Sequence, residues 1–329
     1  MLNKILVPLD GSALAECVLP HAVGLARTMK TTVILLRVLA QDHHTDPLQA
    51  VDPLNWHLRK AEARAYLNDI RDRLQQTGIV AEVVVLEGSP VDRIVEYARE
   101  RLVDLILLSS HGYSGLSGWN VSSSVQKIIH RAYTSFLIVR AFQPEPADLP
   151  YHRYNRILIP LDGSQRAESV LPVLSSLVSA PQTELVLTYV ISRPEMPRRA
   201  PLTAEENDLM DDIIARNEDE ASRYLDPLRT RLPGEVKIQI LVGNNVASAL
   251  HRLAEQEAVD LVLLSAHGYS ADNRFPYGSV VISFIAYGAT PLLIMQDLPE
   301  NYRSQADMIA AQTGDNHGGR VMTYDRPSN

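Results

Sequence analysis

The chain has 329 residues, of which 46% are hydrophobic and 21% charged, a globular composition that excludes a disordered chain. A net charge of -8 without any basic run excludes the clustered Lys and Arg on which nucleic-acid binding depends. The single cysteine, Cys17, excludes an intrachain disulfide and a thiolate metal cluster.

The chain opens MLNKILVPLDGS, which lacks the apolar core and small-residue cleavage site of a secretory signal. No run of about 18 apolar residues occurs anywhere, so no membrane span is expected and the cytoplasm is the expected compartment. Short apolar runs then alternate with longer amphipathic stretches. KILVPL, TVILLRV, AEVVVLE, DLILLS and SFLIVR have the β-branched content of buried strands. RILIPL, ELVLTYV, VKIQILV, DLVLLS and PLLIMQ follow in the same order. Between the third and fourth runs, Val91, Ile94, Ala98 and Leu102 share one helical face, as do Val246, Leu250, Leu253 and Ala254 in the second set. Strand–helix alternation requires a parallel sheet with crossover helices on both faces.

Three blocks repeat. ILVPLDGS at 5–12 returns as ILIPLDGS at 157–164, AECVLP at 15–20 as AESVLP at 167–172, and VDLILLSSHGYSG at 103–115 as VDLVLLSAHGYSA at 259–271. The expected fold class is therefore α/β, with two tandem five-stranded, parallel, doubly wound, Rossmann-like domains. The expected boundaries are 1–142 and 154–298, joined by a linker at 143–153 and followed by a polar tail at 299–329. The segment around the linker, AFQPEPADLPYHRY, holds three prolines and reads as semi-extended. The tail is expected to be poorly ordered.

In a doubly wound sheet, ligands bind beyond the carboxyl ends of the strands where strand order reverses. Three segments of each copy converge there. One is the turn after the first strand, PLDGS, with Asp10 and Asp162 offering carboxylates to a ribose hydroxyl or an adenine amino group. A second is the end of the second strand, at Val38 and Val190. The third is the loop after the fourth strand, SSHGYSG and SAHGYSA, leading to Ser122, Ser123 and Ser124 and to Gly278, Ser279 and Val280. Small residues allow close backbone approach, and unpaired amides at a helix start favour anions. Asp-Gly-Ser is equally a common turn and helix cap, and the serines equally simple N-caps. His111 and His267 either brace the loop or reach a phosphate. Occurrence of all three segments, in order and twice, favours an adenine nucleotide.

These residues resemble the universal stress protein family in its two-domain form, whose folds are of the adenine nucleotide alpha hydrolase-like type. That family's ATP pattern is Gly, two residues, Gly, nine residues, then Gly and Ser or Thr. The second copy reads Ser265, Gly268, Gly278-Ser279; the first reads Ser109, Gly112, Ser122-Ser123. The resemblance implies ATP, with or without Mg²⁺, as the ligand. Pro8, Leu9, Asp10 and their counterparts Pro160, Leu161, Asp162 would face the adenosine, and backbone at Val38 and Val190 the adenine edge. Gly112 and Gly268 would let the loop pass over the phosphates, and the helix starts would donate to them. A Gly→Ser change is harmless at negative φ and obstructive at positive φ, so the second copy is the stronger candidate. Pro276 and the sequence ADNRFPY alter its loop. The resemblance also implies domain pairing through the fifth strands, SFLIVR against PLLIMQ, and leaves room for a homodimer.

Neither copy carries G-x-x-x-x-G-K-[ST], so a dedicated ATP-driven enzyme is not expected. PLDGS is not the G-x-G-x-x-G of dinucleotide enzymes. An interaction scaffold without nucleotide is the alternative. His43, His44, Asp46 and His57 have no metal-ligand spacing and read as solvated. Cys17 reads as a small buried hydrophobe in the first helix, and the mixed charges of the helix from about Asn55 as a solvated face.

Overall fold

A computed structural model describes residues 2–40, 53–112, 121–141, 152–178, 182–193, 203–269 and 276–297. The first half contains β1 (Lys4–Pro8), a 3-10 turn (Ala15–Val18), α1 (Leu19–Met29), β2 (Thr32–Leu39), α2 (Pro53–Gln76) and β3 (Ala81–Glu87). It continues with α3 (Pro90–Glu100), β4 (Leu105–Ser109), α4 (Ser123–Ala132) and β5 (Ser135–Val139). The second half repeats the order. It runs β6 (Arg156–Pro160), α5 (Gln165–Glu168), α6 (Leu171–Leu177), β7 (Glu184–Ser192), α7 (Ala204–Arg231), β8 (Glu235–Gly243), α8 (Val246–Gln256), β9 (Leu261–Ser265), α9 (Ser279–Tyr287) and β10 (Leu292–Met295).

The strands join in one ten-stranded sheet, ordered β3-β2-β1-β4-β5-β10-β9-β6-β7-β8. Within each half all pairing is parallel, and the order reverses between β1 and β4 and between β6 and β9. Where the halves meet, β5 and β10 run antiparallel, with Phe136 opposite Ile294 and Ile138 opposite Leu292. Both core layers, one on each face of the sheet, draw residues from both halves. Residues 1–296 accordingly form one compact unit.

β5 and β9 are buried at every position and β1 at its three central ones, as their apolar runs require. AEVVVLE and VKIQILV are not buried strands: β3 and β8 are the sheet's outer edges and are only half covered. Among the described residues each has a strand neighbour on one side alone, which the composition of a strand does not report. Leu102 departs from the expected helical face. The helix ends at Glu100, and Leu102 turns out at φ +51° with 68% of its surface exposed, while Tyr97 and Ala98 are buried. Periodicity overran a helix end that has no glycine to mark it. Cys17 is buried as expected, in the 3-10 turn ahead of α1. The helix expected near Asn55 starts at Pro53, and His57 is exposed on it; His43, His44 and Asp46 lie outside the described residues. So do 142–151 of the linker segment, 271–275 of ADNRFPY and the tail from 298.

Candidate functional site

The turn after the first strand of each half is built around its aspartate. Gly11 and Gly163 adopt φ of +86° and +80°, a left-handed conformation that costs glycine nothing. This folds Ser12 and Ser164 back onto the carboxylates. Asp10 Oδ1 accepts from the Ser12 amide at 2.9 Å and its hydroxyl at 2.6 Å; Asp162 Oδ1 accepts from Ser164 at 3.0 and 2.6 Å. The other oxygen of Asp162 accepts from the Tyr269 amide at 2.7 Å, fastening the first turn to the loop after β9.

Gly112 and Gly268 are glycines because of those aspartates. Neither has positive φ, but a Cβ at either position would overlap Oδ2 of Asp10 or Asp162. Their nearest neighbour is thus a carboxylate of the protein itself. A carboxylate has about four lone-pair directions, and Asp162 commits three of them internally. One remains for a ligand.

The serines in place of family glycines are compatible with the backbone. Ser122, the N-cap of α4, has φ -58°, and Gly278, the N-cap of α9, has φ -73°. Their amides make the same bond, Ser122 to the Ser110 carbonyl at 2.9 Å and Gly278 to the Ala266 carbonyl at 2.8 Å. Ser122 also accepts from the Val125 amide at 3.4 Å. Ser109 and Ser265 likewise avoid positive φ. The Ser109 hydroxyl lies 3.0 Å from the Leu14 carbonyl and 2.6 Å from that of His111, and Ser265 Oγ lies 3.3 Å from Ser169 Oγ. These hydroxyls tie the fourth strand's end to the segment after the first.

In the second half the three segments enclose a cavity of about 620 Å³, inside the usual range for small-molecule sites of about 300–1,000 Å³. Pro160, Leu161 and Asp162 line it from β6 and its turn, Val190 from β7, and Ser265 and Gly268 from β9 and its loop. Gly278, Ser279 and Val280 close it with the start of α9, whose first-turn amides have no intrahelical acceptor. All nine candidates of that half therefore meet around one space. Val246 and Leu250 of α8 supply an apolar wall. Among the described residues lining the cavity, none is Lys or Arg, and Asp162 is the one carboxylate.

Thr188 and Tyr277, both lining the cavity, escaped the sequence reading. Thr188 on β7 is fully buried, and its hydroxyl has no hydrogen-bond partner among the described residues; the matching strand position in the first half is Leu36. A lone polar residue within ELVLTYV was the available signal. Tyr277, beside Gly278, is 2% exposed and donates its hydroxyl to the Ile129 carbonyl of α4 at 3.1 Å. Burial holds that phenol well above its ordinary range. His267 is buried in the wall, and its counterpart His111 is 4% exposed with Nδ1 at 3.1 Å from Ser110 Oγ.

In the first half, Pro8 ends β1 and Leu9 and Asp10 follow it, Val38 is the penultimate residue of β2, and Ser109 ends β4 with Gly112 beyond it. Ser123 and Ser124 form the exposed first turn of α4 behind Ser122. The Leu9 amide donates to the Leu36 carbonyl at 2.8 Å, as Leu161 does to Thr188. Residues 113–120 lie outside the described residues. Among the described residues, no cluster of His, Cys, Asp and Glu is arranged to hold a metal ion, and no helix is long and apolar enough to cross a membrane.

Two doubly wound halves with a ligand-sized cavity at a strand-order reversal define a tandem α/β protein of the Rossmann-like class. The universal stress protein family model matches residues 1–140 and 153–296, and the chain belongs to that family. It is 29% identical to the universal stress protein YxiE of Bacillus subtilis over 149 residues, covering 43% of this chain and 100% of YxiE. A solved universal stress protein from Archaeoglobus fulgidus DSM 4304 matches 91% of the chain, and 100% of its own, with a TM-score of 0.60 at 18% identity. A Pseudomonas aeruginosa PAO1 protein described as functionally unknown matches 94% of the chain and 98% of its own, with a TM-score of 0.66 at 13% identity. These two structures share the fold.

Proposed function

We propose that the chain is a regulatory protein that binds adenine nucleotide, ATP in particular, at the strand ends. The observation that carries this reading is the convergence of nine residues from the three strand-end segments on one cavity of suitable size. Adenine would lie against the apolar wall of Val246 and Leu250, with its polar edge on the backbone of Val190. Asp162 would accept from the ribose, and the amides of Ser279 and Val280 would receive phosphate oxygens. With no described Lys or Arg lining the cavity, the negative phosphates need Mg²⁺ as companion. Slow turnover fits this arrangement better than rapid catalysis, since the described residues lining the cavity supply neither a lysine nor an arginine to a transferring phosphate. We further propose that residues 1–142 and 154–298 act as the two functional domains, paired through β5 and β10, in the cytoplasm.

Titration calorimetry with Mg·ATP tests the site. Asp162→Ala combined with Gly278→Val should weaken binding about tenfold or more, ~1.4 kcal/mol. Unchanged affinity in that variant would remove the assignment. The alternative, a scaffold without nucleotide, draws support from the three internal hydrogen bonds that already occupy Asp162. Denaturing the purified protein and finding no adenine nucleotide released, together with no thermal shift on adding ATP, would favour it.

A further inference from the structure

The two halves solve one electrostatic problem differently. In the first, Tyr66 of α2 donates its hydroxyl to Glu16 at 3.1 Å; in the second, Tyr224 of α7 donates to Glu168 at 3.0 Å. The residue on the second strand that faces this tyrosine is Arg37 in the first half and Tyr189 in the second. Arg37 lays its guanidinium over the Tyr66 ring, 5.3 Å from the centroid. It also covers Gly11, with its terminal nitrogens 2.9 Å from where a Cβ would stand. The charge of Arg37 opposes those of Glu16 and Asp10 around Tyr66.

Among the described residues, no such cation lies over Tyr224 in the second half. Tyr189 meets Tyr224 edge-on at 6.2 Å and keeps about 4.0 Å from the equivalent point at Gly163. A groove of about 510 Å³ opens there, lined by Gly163, Tyr189, Asn217, Glu220 and Tyr224. Glu168 and Asp162 add their charges beside the two rings. Glu220 has one cationic neighbour among the described ion pairs, Arg216 at 3.4 Å on the exposed helix surface, a contact too solvated to neutralise the groove. Aromatic faces with neighbouring carboxylates attract planar cations.

We propose that the groove between β7 and α7 binds a guanidinium-type organic cation, supplied from outside at the position that the first half fills with its own Arg37. Arg37 serves as the internal copy of the ligand, and the Tyr66 ring beneath it shows how the site holds it, Glu16 itself being paired with Arg73 at 3.2 Å. The groove meets the nucleotide cavity at Val190 and Ser192 but shares neither Asp162 nor the start of α9 with it. The proposal does not rest on the nucleotide reading.

The test is calorimetric titration of the full chain with butylguanidinium at low salt without nucleotide, using uncharged N-butylurea as the isostere. One saturable equivalent is expected for the cation and none for the urea. Glu220→Gln should weaken binding about fivefold, and Tyr189→Arg should abolish it by supplying the cation from within. Arg37→Tyr should open a second site and raise the stoichiometry from one to two. The proposal is overturned by absence of saturable binding up to about 10 mM, or by equal binding of the urea. It is also overturned by wild-type affinity in both Tyr189→Arg and Glu220→Gln, or by a stoichiometry that stays at one in Arg37→Tyr.

Discussion

At Gly268 the space for a side chain is taken by the Asp162 carboxylate, and the same holds for Gly112 and Asp10. Gly268→Ala must push the loop away from the turn and break the bond from the Tyr269 amide. The expected cost is about 1–3 kcal/mol in denaturant unfolding, with loss of any ligand bound in the cavity. Stability equal to wild type would mean that the loop moves freely over the turn. A second residue-level effect concerns acid. His21, 6% exposed, bonds Tyr154 through Nδ1 at 2.8 Å; burial, and then the charge of His152, lower its pKa from 6.5 to about 3. Between those values the unfolded chain takes up a proton that the folded chain refuses. The contribution is therefore complete above about pH 6.5 and is lost as pH falls towards 3, by up to ~1.4 kcal/mol per unit. His21→Gln should flatten the pH dependence of urea unfolding between about pH 7 and pH 5. An unchanged slope would assign the acid sensitivity elsewhere.

At the level of elements, the helices that follow the fourth strands are joined across the seam. Tyr277, in the cavity wall, donates to the Ile129 carbonyl in the last turn of α4. From the other half, Arg140 donates to the carbonyls of Phe284 and Ile285 in the last turn of α9, at 2.7 and 2.9 Å. Each helix end is thus held by the opposite half, and the Phe284 carbonyl is shared between Arg140 and the Gly288 amide. Tyr277→Phe should cost about 1 kcal/mol and leave the cavity shape intact. If ATP binds beside Tyr277, hydrogen exchange at the end of α4 should slow in wild type and not in Tyr277→Phe. Equal protection in both would show that the link carries nothing.

The strands were legible because each is an apolar run bounded by turn residues, and because the chain states them twice. The candidate residues of the second half were legible for the same reason, since PLDGS and the serine-tipped helix fall at fixed points of a doubly wound unit. Thr188, Tyr277 and Arg140 were not. Their importance depends on which strand lies beside which, and a hydroxyl without a partner is invisible until its neighbours are in position. The end of α3 was missed because Leu102 continues a helical pattern that its backbone abandons.

For the whole molecule, the β5–β10 pair decides what a half chain can do. Residues 1–140 alone would present β5 as an open edge with Phe136 and Ile138, fully buried in the intact chain, close to water. Sedimentation should find this fragment as a dimer, with β5 pairing with its own copy. A stable monomer would mean that the half closes its edge by itself. The antiparallel seam also sets direction. Because strands within a half are parallel while β5 opposes β10, the carboxyl ends of the two halves point away from each other. The strand-end turns at Asp10 and Asp162 therefore lie at opposite edges of the sheet. A molecule seated in the cavity beside Asp162 is thereby kept a full strand length from Asp10, and whatever docks at one edge leaves the other open.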